Sequence, residues 1–395
     1  MIVRHFLQWV RTAEAADRAE ATGALARAFL YSDLSRDDRI AAEGAMILLL
    51  DDPSPLVRMA LAEALGGSTE APNAVVYALV NDQPDIAAVV LERSPLLLDS
   101  DLVDCIAVGT PHAQCAIARR QTLPRSVAAA IAEVGSAEAC LTLVENPDAE
   151  IAQFSIDRIA ARFGHLAAVR EAMLAWPDLA VSTRHALVIK LSEALTGFTI
   201  ARNWLDADRA NRIAQEACEK ATVAMAATFG RDQVFPLVSH LRESGQLTAG
   251  LILRSLLSGN VDFFEQALAE LSSLPSTRVV ALIHDRRGAG FKAVFDRAGL
   301  PASVYPAFRA AIEVMHEEGV APEIGGTTRL RRRMVERVLT SCAGMPAGDI
   351  EPLMTLLRRY ATEAAREEAR LFCDELVDIG NVIAANDYAR TVVAA

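Results

Sequence analysis

The loop at residues 285–290 has the residue types of an anion-binding site. It reads Asp-Arg-Arg-Gly-Ala-Gly and precedes a predicted helix. The guanidinium groups of Arg286 and Arg287 suit a carboxylate or phosphate, and the free N–H groups of a helix start add further donors. Gly288 and Gly290 complete this candidate anion- or partner-binding site. The alternative is a solvated turn whose glycines supply a positive φ.

A run of arginines at residues 329–337 is a second candidate. Such a run can contact nucleic acid, an acidic protein partner or anionic lipid through its positive charge. Few aromatic residues lie nearby, so the stacking pattern of single-strand binding is missing. The alternative is a solvated helix face that pairs with neighbouring glutamates. The candidate partner-binding residues of this run are Arg329, Arg331, Arg332 and Arg333.

Phe263 and Phe264 are adjacent bulky residues in a chain that is only 5% aromatic. Neighbouring residues on a helix point in different directions, so we expect only one of the two rings to face the core. The other ring is predicted to pack between domains or to act as a hot spot for a partner. Both residues are therefore candidates for partner binding.

Motifs for catalysis and metal binding are missing from the sequence. There is no Gly-x-Ser-x-Gly turn, and the glycine-rich segment 325–328 lacks the lysine of a phosphate-binding loop. His112 and Cys115 have metal-like spacing, but zinc needs about four ligands and the chain offers no second pair. We therefore expect a protein that is not an enzyme, with no catalytic residue, no metal and no cofactor.

The composition predicts a helical globular chain. Hydrophobic residues make up 52% of the 395 residues, and much of that share is alanine, which favours closely stacked helices. The net charge of −12 argues against non-specific binding to nucleic acid or to anionic membrane. The six cysteines form no Cys-x-x-Cys pair. With no visible signal peptide and only short apolar runs, we expect a cytoplasmic protein without a membrane span.

The first half of the chain is predicted to consist of repetitive helices. An apolar helix end at Leu48 runs into the turn Asp52-Pro53, and a second helix follows from Leu56. Proline suits the first turn of a helix and disfavours helix in the residue before it. Similar turns recur along the first half, and they contain Pro53, Pro84, Pro111, Pro147 and Pro177.

The spacing of these turns favours a degenerate helical repeat. The polar residues before three of the prolines, Asp52, Thr110 and Asn146, are expected to cap the next helix. The drift of the spacing suits a right-handed α-solenoid better than a strict array, and an irregular helical bundle is the alternative. The steps are 29, 29, 36 and 30 residues, measured between Val57, Ile86, Cys115, Ile151 and Val181.

The second half is also predicted to be helical, but without the repeat. The sequence predicts an all-α chain with repeats at 1–195, a helical domain at 196–324 and a C-terminal helical pair or tail at 325–395. The segment Thr196-Gly197-Phe198-Thr199 is expected to break the helix at the end of the first half.

Several segments carry a resemblance to known families. The Asp-Pro-x-x-x-Val-Arg pattern at 52–58 is similar to HEAT repeats. In the second half, segments 247–254, 259–264 and 297–301 read Leu-Thr-Ala-Gly-Leu-Ile-Leu-Arg, Gly-Asn-Val-Asp-Phe-Phe and Arg-Ala-Gly-Leu-Pro. Over roughly residues 40–320 the chain resembles an uncharacterised bacterial family, catalogued only as a domain of unknown function. The resemblance implies a helical fold in a bacterial cytoplasm and brings no catalytic residue with it.

These observations predict a scaffold or adaptor that binds a protein partner on a helical-repeat surface. Two alternatives remain open. One is nucleic-acid binding through the arginines at 329–337, and the other is sensing of a small anionic ligand at the loop 285–290. The identity of the partner and the oligomeric state are not predicted.

Overall fold

The computed structural model is built of α-helices. It describes residues 2–285, 288–318, 326–342, 354–366, 369–370 and 372–373. No β-strand occurs among these residues, so the predicted all-α class is confirmed. Residues 354–366 are helical as well. The named helices are α1 (Ile2–Val10), α2 (Ala15–Tyr31), α3 (Arg36–Leu49), α4 (Pro55–Leu65), α5 (Asn73–Val80), α6 (Pro84–Arg93), α7 (Asp99–Val108), α8 (Pro111–Ala118), α9 (Arg125–Val134), α10 (Ala137–Glu145), α11 (Gln153–Phe163), α12 (Ala167–Leu174), α13 (Val181–Ala201), α14 (Ala207–Thr228), α15 (Arg231–Glu243), α16 (Ala249–Leu257), α17 (Val261–Ser272), α18 (Ser276–Ile283), α19 (Ala289–Arg297), α20 (Tyr305–Glu318) and α21 (Gly326–Cys342).

The chain divides into two compact units, unit 1 (Met1–Ala194) and unit 2 (Leu195–Ala395). This boundary lies next to the predicted end of the repetitive half at residue 195. The further division between residues 324 and 325 stays a prediction.

Unit 1 has a repeat-like packing of alternating helices. The even-numbered helices α2, α4, α6, α8, α10 and α12 contact one another in sequence, and among the odd-numbered helices α7 contacts α9 and α9 contacts α11. Small alanines and branched residues fill the space between them, as the composition predicts. The largest fully buried side chains of this core are Met46, Leu61, Leu65, Leu79, Ile86, Leu91, Leu102 and Ile106.

Two of the five predicted proline turns contain the first residue of a helix in unit 1. Pro84 and Pro111 are the first residues of α6 and α8, and Thr110 caps α8 by accepting a hydrogen bond from the Ala113 N–H at 3.4 Å. Asn146 has a different role from the predicted cap, because Ala152 occupies the N-cap position of α11 and makes no side-chain cap bond. The other three predicted prolines lie before the helix start, because α4, α11 and α13 begin at Pro55, Gln153 and Val181, and Ser54, not Asp52, is the N-cap residue of α4.

Two arginine–aspartate pairs join α2 and α4 to the turns before α4 and α6. Arg18 donates from Nε and Nη2 to Asp52 at 2.9 and 2.8 Å. Arg58 donates to Asp82 at 2.7 and 3.0 Å and also to the Asp52 carbonyl at 2.6 Å. The side chain of Asp52 is only 6% exposed. Paired guanidinium–carboxylate contacts of this kind fix both distance and orientation.

The ion pairs shift the acidity of both aspartates. The hydrogen bond from Arg18 holds the pKa of Asp52 below its usual range. Burial alone would raise the pKa of Asp82, but the hydrogen bonds from Arg58 and from the Gln83 N–H outweigh it, so that pKa is also lowered. Both carboxylates are therefore charged at neutral pH and contribute stability in that form.

Later in unit 1, side chains bond to the carboxyl ends of earlier helices. Arg120 donates to the carbonyls of Leu91 and Ser94 at 2.6 and 2.7 Å, at the end of α6. Arg162 donates in the same way to Ala132 and Gly135, at 2.6 and 2.7 Å, where α9 ends.

Asn146, which lies between Arg120 and Arg162 in the sequence, also bonds to the carboxyl end of an earlier helix. Its amide donates to the carbonyls of Ala118 and Arg120 at 2.8 and 2.9 Å, at the end of α8. The last carbonyls of a helix have no partner within the helix, so these side chains satisfy groups that would otherwise need water.

Unit 2 is organised around α17. This helix contacts α15, α16, α18 and α19, and α20 contacts both α16 and α21. Its core is aromatic, in contrast to the aliphatic core of unit 1. Phe264 stacks on Phe308 with ring centroids 6.0 Å apart, and Phe295 meets Phe308 and Tyr305 edge-on at 5.5 and 5.1 Å. Such pairs favour one arrangement of the surrounding helices.

The end of α13 differs from the prediction. The helix runs through residues 196–199 to Ala201, so the expectation that this segment breaks it is wrong. A glycine inside a helix costs only about 1 kcal/mol relative to alanine. Glu193, Ala194 and Leu195, which precede this segment, are good helix formers and help to offset that cost.

We predict that Asp52→Asn lowers the free energy of unfolding by about 2 kcal/mol at neutral pH, because a charged acceptor for Arg18 is lost. The lowered pKa of Asp52 means that its stabilisation is present above the ordinary value of 3.8 and is lost as the pH falls through the lowered one. The difference between variant and parent therefore shrinks in acid. Urea unfolding followed by circular dichroism at several pH values measures it.

Asp51→Asn is the matched control, since Asp51 is the exposed carboxylate next in sequence. We expect it to change the free energy of unfolding by less than about 0.5 kcal/mol. Equal losses for the two variants would contradict a structural role for the Arg18–Asp52 pair.

Candidate functional site

Two cavities of unit 2 adjoin at Ser258, Asn260 and Arg331, which line both of them. The inner cavity has a volume of about 150 Å³. The outer cleft has a volume of about 890 Å³, within the size range of sites for small molecules. Together the two cavities form the candidate site.

The turn between α16 and α17 positions the shared wall of the two cavities. Gly259 has a φ of 76°, and its N–H donates to the Leu256 carbonyl at 3.0 Å. The Asn260 N–H donates to the Ser255 carbonyl at 2.9 Å, which completes a glycine-containing helix end. The chain therefore leaves α16 and enters α17 within three residues.

Asn260 then caps α17 with its side chain. Its Oδ1 accepts a hydrogen bond from the Phe263 N–H at 3.2 Å, which fixes the amide plane. The Nδ2 atom on the other side of that amide is buried and has no hydrogen-bond partner among the described residues. A buried donor without a partner costs free energy unless a ligand or water accepts from it.

The inner cavity contains a buried arginine network. Arg254 is only 5% exposed. Its Nε donates to the Tyr360 hydroxyl at 3.0 Å, and its Nη1 donates to Glu363 at 3.3 Å. Glu219 lies 3.9 Å from Arg254 Nε. These contacts join α14 and α16 to the helical segment 354–366.

Burial controls the acidity of this network. It raises the pKa of Glu219, although the charge of Arg254 opposes the shift. It also raises the pKa of Tyr360 to about 12, so the phenol stays protonated at neutral pH and its oxygen accepts from Arg254. A buried cation is held here by oxygen ligands from two elements, as burial of an arginine requires.

Two further cations border the inner cavity. Lys220 is exposed and makes no ion pair with any described residue. Arg331 is half-buried, and its Nη2 donates to the Ser258 carbonyl at 3.3 Å. With Arg254, three cations therefore line a cavity whose lining contains one carboxylate, Glu363.

The outer cleft has both acidic and basic groups. His284 Nε2 is hydrogen-bonded to Oε1 of the buried Glu265 at 2.9 Å, and the His316 ring lies 5.5 Å from that of His284. Arg231 pairs with Asp262 at 2.7 Å. The cleft can therefore offer donors and acceptors to a polar molecule.

The predicted loop at 285–290 begins directly after His284. Arg286 and Arg287 lie outside the described residues, so the predicted anion site there stays a prediction. The structure requires glycine at positions 288 and 290 for two different reasons, one conformational and one steric. Gly288 has a φ of 74°, and a Cβ on Gly290 would lie 2.9 Å from the Leu282 carbonyl oxygen.

The predicted arginine run lies on α21 and separates into different environments. Arg331 borders the cavities, whereas Arg332 pairs with Glu336 at 2.8 Å on an exposed face. Arg333 is exposed, and Arg329 is helical with no described side chain. The arginines therefore lie in different environments. Of the three whose side chains are described, only Arg331 lines the candidate site.

The structure corrects the prediction for Phe263 and Phe264. Both side chains are fully buried, so the expectation that one of them is available to a partner is wrong. The reason is the central place of α17, which is covered by neighbours on several sides. Two adjacent residues of such a helix can both face a core, because the core surrounds it.

A second candidate surface, which we term the aromatic corner, consists of Leu195, Phe198, Arg202 and Trp204. Leu195, Phe198 and Trp204 are 56%, 46% and 64% exposed. The Phe198 and Trp204 rings meet edge-on with centroids 5.5 Å apart, and the Arg202 guanidinium lies 4.9 Å from the Phe198 ring centre. This surface was missed because the helix was expected to break at residues 196–199, which include Phe198.

Backbone hydrogen bonds hold the aromatic corner in place. Asn203 has a φ of 54°, and its N–H donates to the Ile200 carbonyl at 2.9 Å. The Trp204 N–H donates to the Thr199 carbonyl at 3.0 Å. This is the hydrogen-bond pattern of a helix that ends at a left-handed residue, and an apolar contact between its two sides often accompanies it. An asparagine followed by a bulky residue was the available sequence signal.

The comparisons with known proteins identify one family. The sequence model of DUF2336, described as an uncharacterised protein conserved in bacteria, matches residues 86–347. The chain belongs to this family. No curated protein and no solved structure matches it significantly.

Two further findings concern metals and membranes. Within the described ranges, no three His, Cys, Asp or Glu side chains are grouped so that they could hold a metal ion. No helix in the described part of the chain is long and apolar enough to cross a membrane.

We predict opposite effects for two glycine-to-alanine changes. Gly290→Ala lowers the free energy of unfolding by about 1–3 kcal/mol, because the new Cβ meets backbone atoms that cannot move aside. Gly197→Ala raises it by about 0.5–1 kcal/mol, because Gly197 is helical with no atom within 4 Å of an added Cβ. Chemical denaturation of both variants provides the measurement. If Gly290→Ala raised the free energy of unfolding instead, the close approach of residue 290 to the Leu282 backbone would be contradicted.

Proposed function

We propose that the chain is a non-enzymatic scaffold that binds a protein partner, with the aromatic corner as its anchor. The observation that carries this proposal is the exposed Phe198–Trp204 pair in a chain with few aromatic residues. Tryptophan and arginine are enriched among the residues that dominate binding energy at protein interfaces. Isolated exposed apolar residues are common, but a cluster of this kind marks an interaction surface.

The rigidity of the aromatic corner supports the same proposal. The hydrogen bonds from Asn203 and Trp204 hold both sides of the corner in the free protein. The two rings also contact each other edge-on, which limits the side-chain freedom that binding would remove. A short pre-organised anchor of this kind suits insertion into an apolar pocket of a partner.

Arg202 indicates the charge of the partner's pocket. It is exposed and makes no ion pair with any described residue. A carboxylate at the rim of the partner's pocket would complement it, and such pairs steer association and fix orientation. We therefore propose a protein partner with an apolar pocket and an acidic rim.

Nucleic-acid binding through the arginine run is the weaker alternative. Arg332 pairs with Glu336, and Arg337 pairs with Glu317 at 3.0 Å. Carboxylates beside the guanidinium groups reduce the positive potential that attracts phosphate backbones. The net charge of −12 acts in the same direction.

We predict that Trp204→Ser weakens binding to a specific partner by at least about tenfold, since a buried tryptophan anchor is worth 2 kcal/mol or more. The partner is recovered by cross-linking with the parent chain in its native extract. The affinity of the purified pair is then measured for parent and variants.

Trp9→Ser is the matched control, because Trp9 is also an exposed tryptophan at 42% and lies in unit 1. We expect it to leave the affinity unchanged. If Trp204→Ser binds every recovered partner as tightly as the parent chain does, the aromatic corner is not the anchor. Sedimentation of the purified chain identifies the case in which the partner is a second copy.

A further inference from the structure

We propose that the inner cavity of unit 2 binds the phosphate group of a small ligand, and that the outer cleft holds the rest of that molecule. This site is separate from the aromatic corner and does not depend on the proposed scaffold function. The residues that line the two cavities carry this proposal.

The donors around the inner cavity come from three separate elements. Lys220 belongs to α14, Asn260 is the N-cap of α17 and Arg331 belongs to α21. A carboxylate is satisfied by one planar fork such as a single arginine provides. A phosphate has oxygens that point in several directions, and donors converging from different elements suit it better.

The electrostatics of the inner cavity favour an anion. Its lining contains three cations and one carboxylate. The nearby Glu219 contacts Arg254, as Glu363 does, so these acidic groups are associated with the one deeply buried cation. Lys220 has no ion pair among the described residues and lies at the exposed side. A charge of up to −2 on a phosphate monoester complements this arrangement.

Asn260 provides the most specific argument. Its Oδ1 is committed to the cap of α17, so rotation of the amide cannot give Nδ2 another role without loss of that cap. The buried Nδ2 donor therefore lacks an acceptor in the protein and lines the point where both cavities meet. A ligand oxygen at this point would remove the cost of the unsatisfied donor.

The outer cleft can accommodate the remainder of a small molecule. Its volume of about 890 Å³ exceeds the 150 Å³ of the inner cavity. Asp262 and Glu265 offer acceptors, and His284 and His316 are imidazoles in the same lining. Hydroxyl or amine groups of the ligand would find partners there, so a polar phosphorylated metabolite fits better than an apolar one.

The test measures binding of inorganic phosphate to the full chain by isothermal titration calorimetry, at constant ionic strength and with acetate in a parallel titration. Asn260→Asp is the key variant. Aspartate caps a helix as well as asparagine does, so α17 is preserved. The variant replaces the Nδ2 donor by a negatively charged oxygen, which repels an anion. Lys220→Gln is the second variant, at an exposed position where folding is not at risk.

We expect saturable phosphate binding that Asn260→Asp weakens by at least about tenfold. Lys220→Gln should weaken it by about threefold, as is typical for one exposed charge. The matched controls are Asn211→Asp on the exposed face of α14 and Lys292→Gln on α19. Both should bind phosphate as the parent chain does.

Three outcomes would overturn the proposal. The first is the absence of saturable phosphate binding to the parent chain. The second is unchanged affinity in Asn260→Asp when its circular dichroism and melting temperature match the parent. The third is acetate binding as tight as phosphate binding, which would remove the assignment of the phosphate group.

Discussion

Hydrogen bonds to the carboxyl ends of helices are the constraint on which unit 1 depends. Short helices have many ends, and each end leaves carbonyl groups without a partner inside the helix. Arg120, Asn146 and Arg162 donate to such carbonyls in an earlier helix, across 26 to 30 residues of sequence. One polar side chain therefore satisfies a helix end and joins two successive helices of the stack. The apolar contacts between helices can then be made by small residues that specify little geometry on their own.

Much of the fold could be predicted because it depends on local chemistry. Proline acts on its immediate neighbours, so helices were expected to follow the turns that contain Pro84 and Pro111, and both prolines prove to be the first residues of helices. Asn146 was assigned a local capping role, although its partners lie 26 and 28 residues away. Nothing in the sequence around Asn146 distinguishes these two roles. Phe263 and Phe264 were misjudged for a related reason, since the number of helices around α17 is a property of the whole unit.

The candidate site of unit 2 could be predicted only in part. Arg331 was selected as a basic residue, yet it differs from Arg332 because the two point to different faces of α21. Lys220, Arg254 and Asn260 were not selected as site residues, although Arg254 and Asn260 lie in segments that carry the family resemblance. They come together because α14, α16, α17 and α21 pack against one another, and the sequence separation between Lys220 and Arg331 exceeds any local pattern. Asn260 shows how a routine capping residue acquires a second role when its other amide atom faces a cavity.

The aromatic corner has a consequence for how this protein could diversify. Phe198 and Trp204 are exposed and are positioned by backbone hydrogen bonds among the seven residues 198–204. Their side chains can therefore be exchanged for others with little effect on the rest of the fold. Selection for a new partner can act at this corner while selection for stability acts elsewhere. Related chains with the same architecture could in this way acquire different partners through very few substitutions.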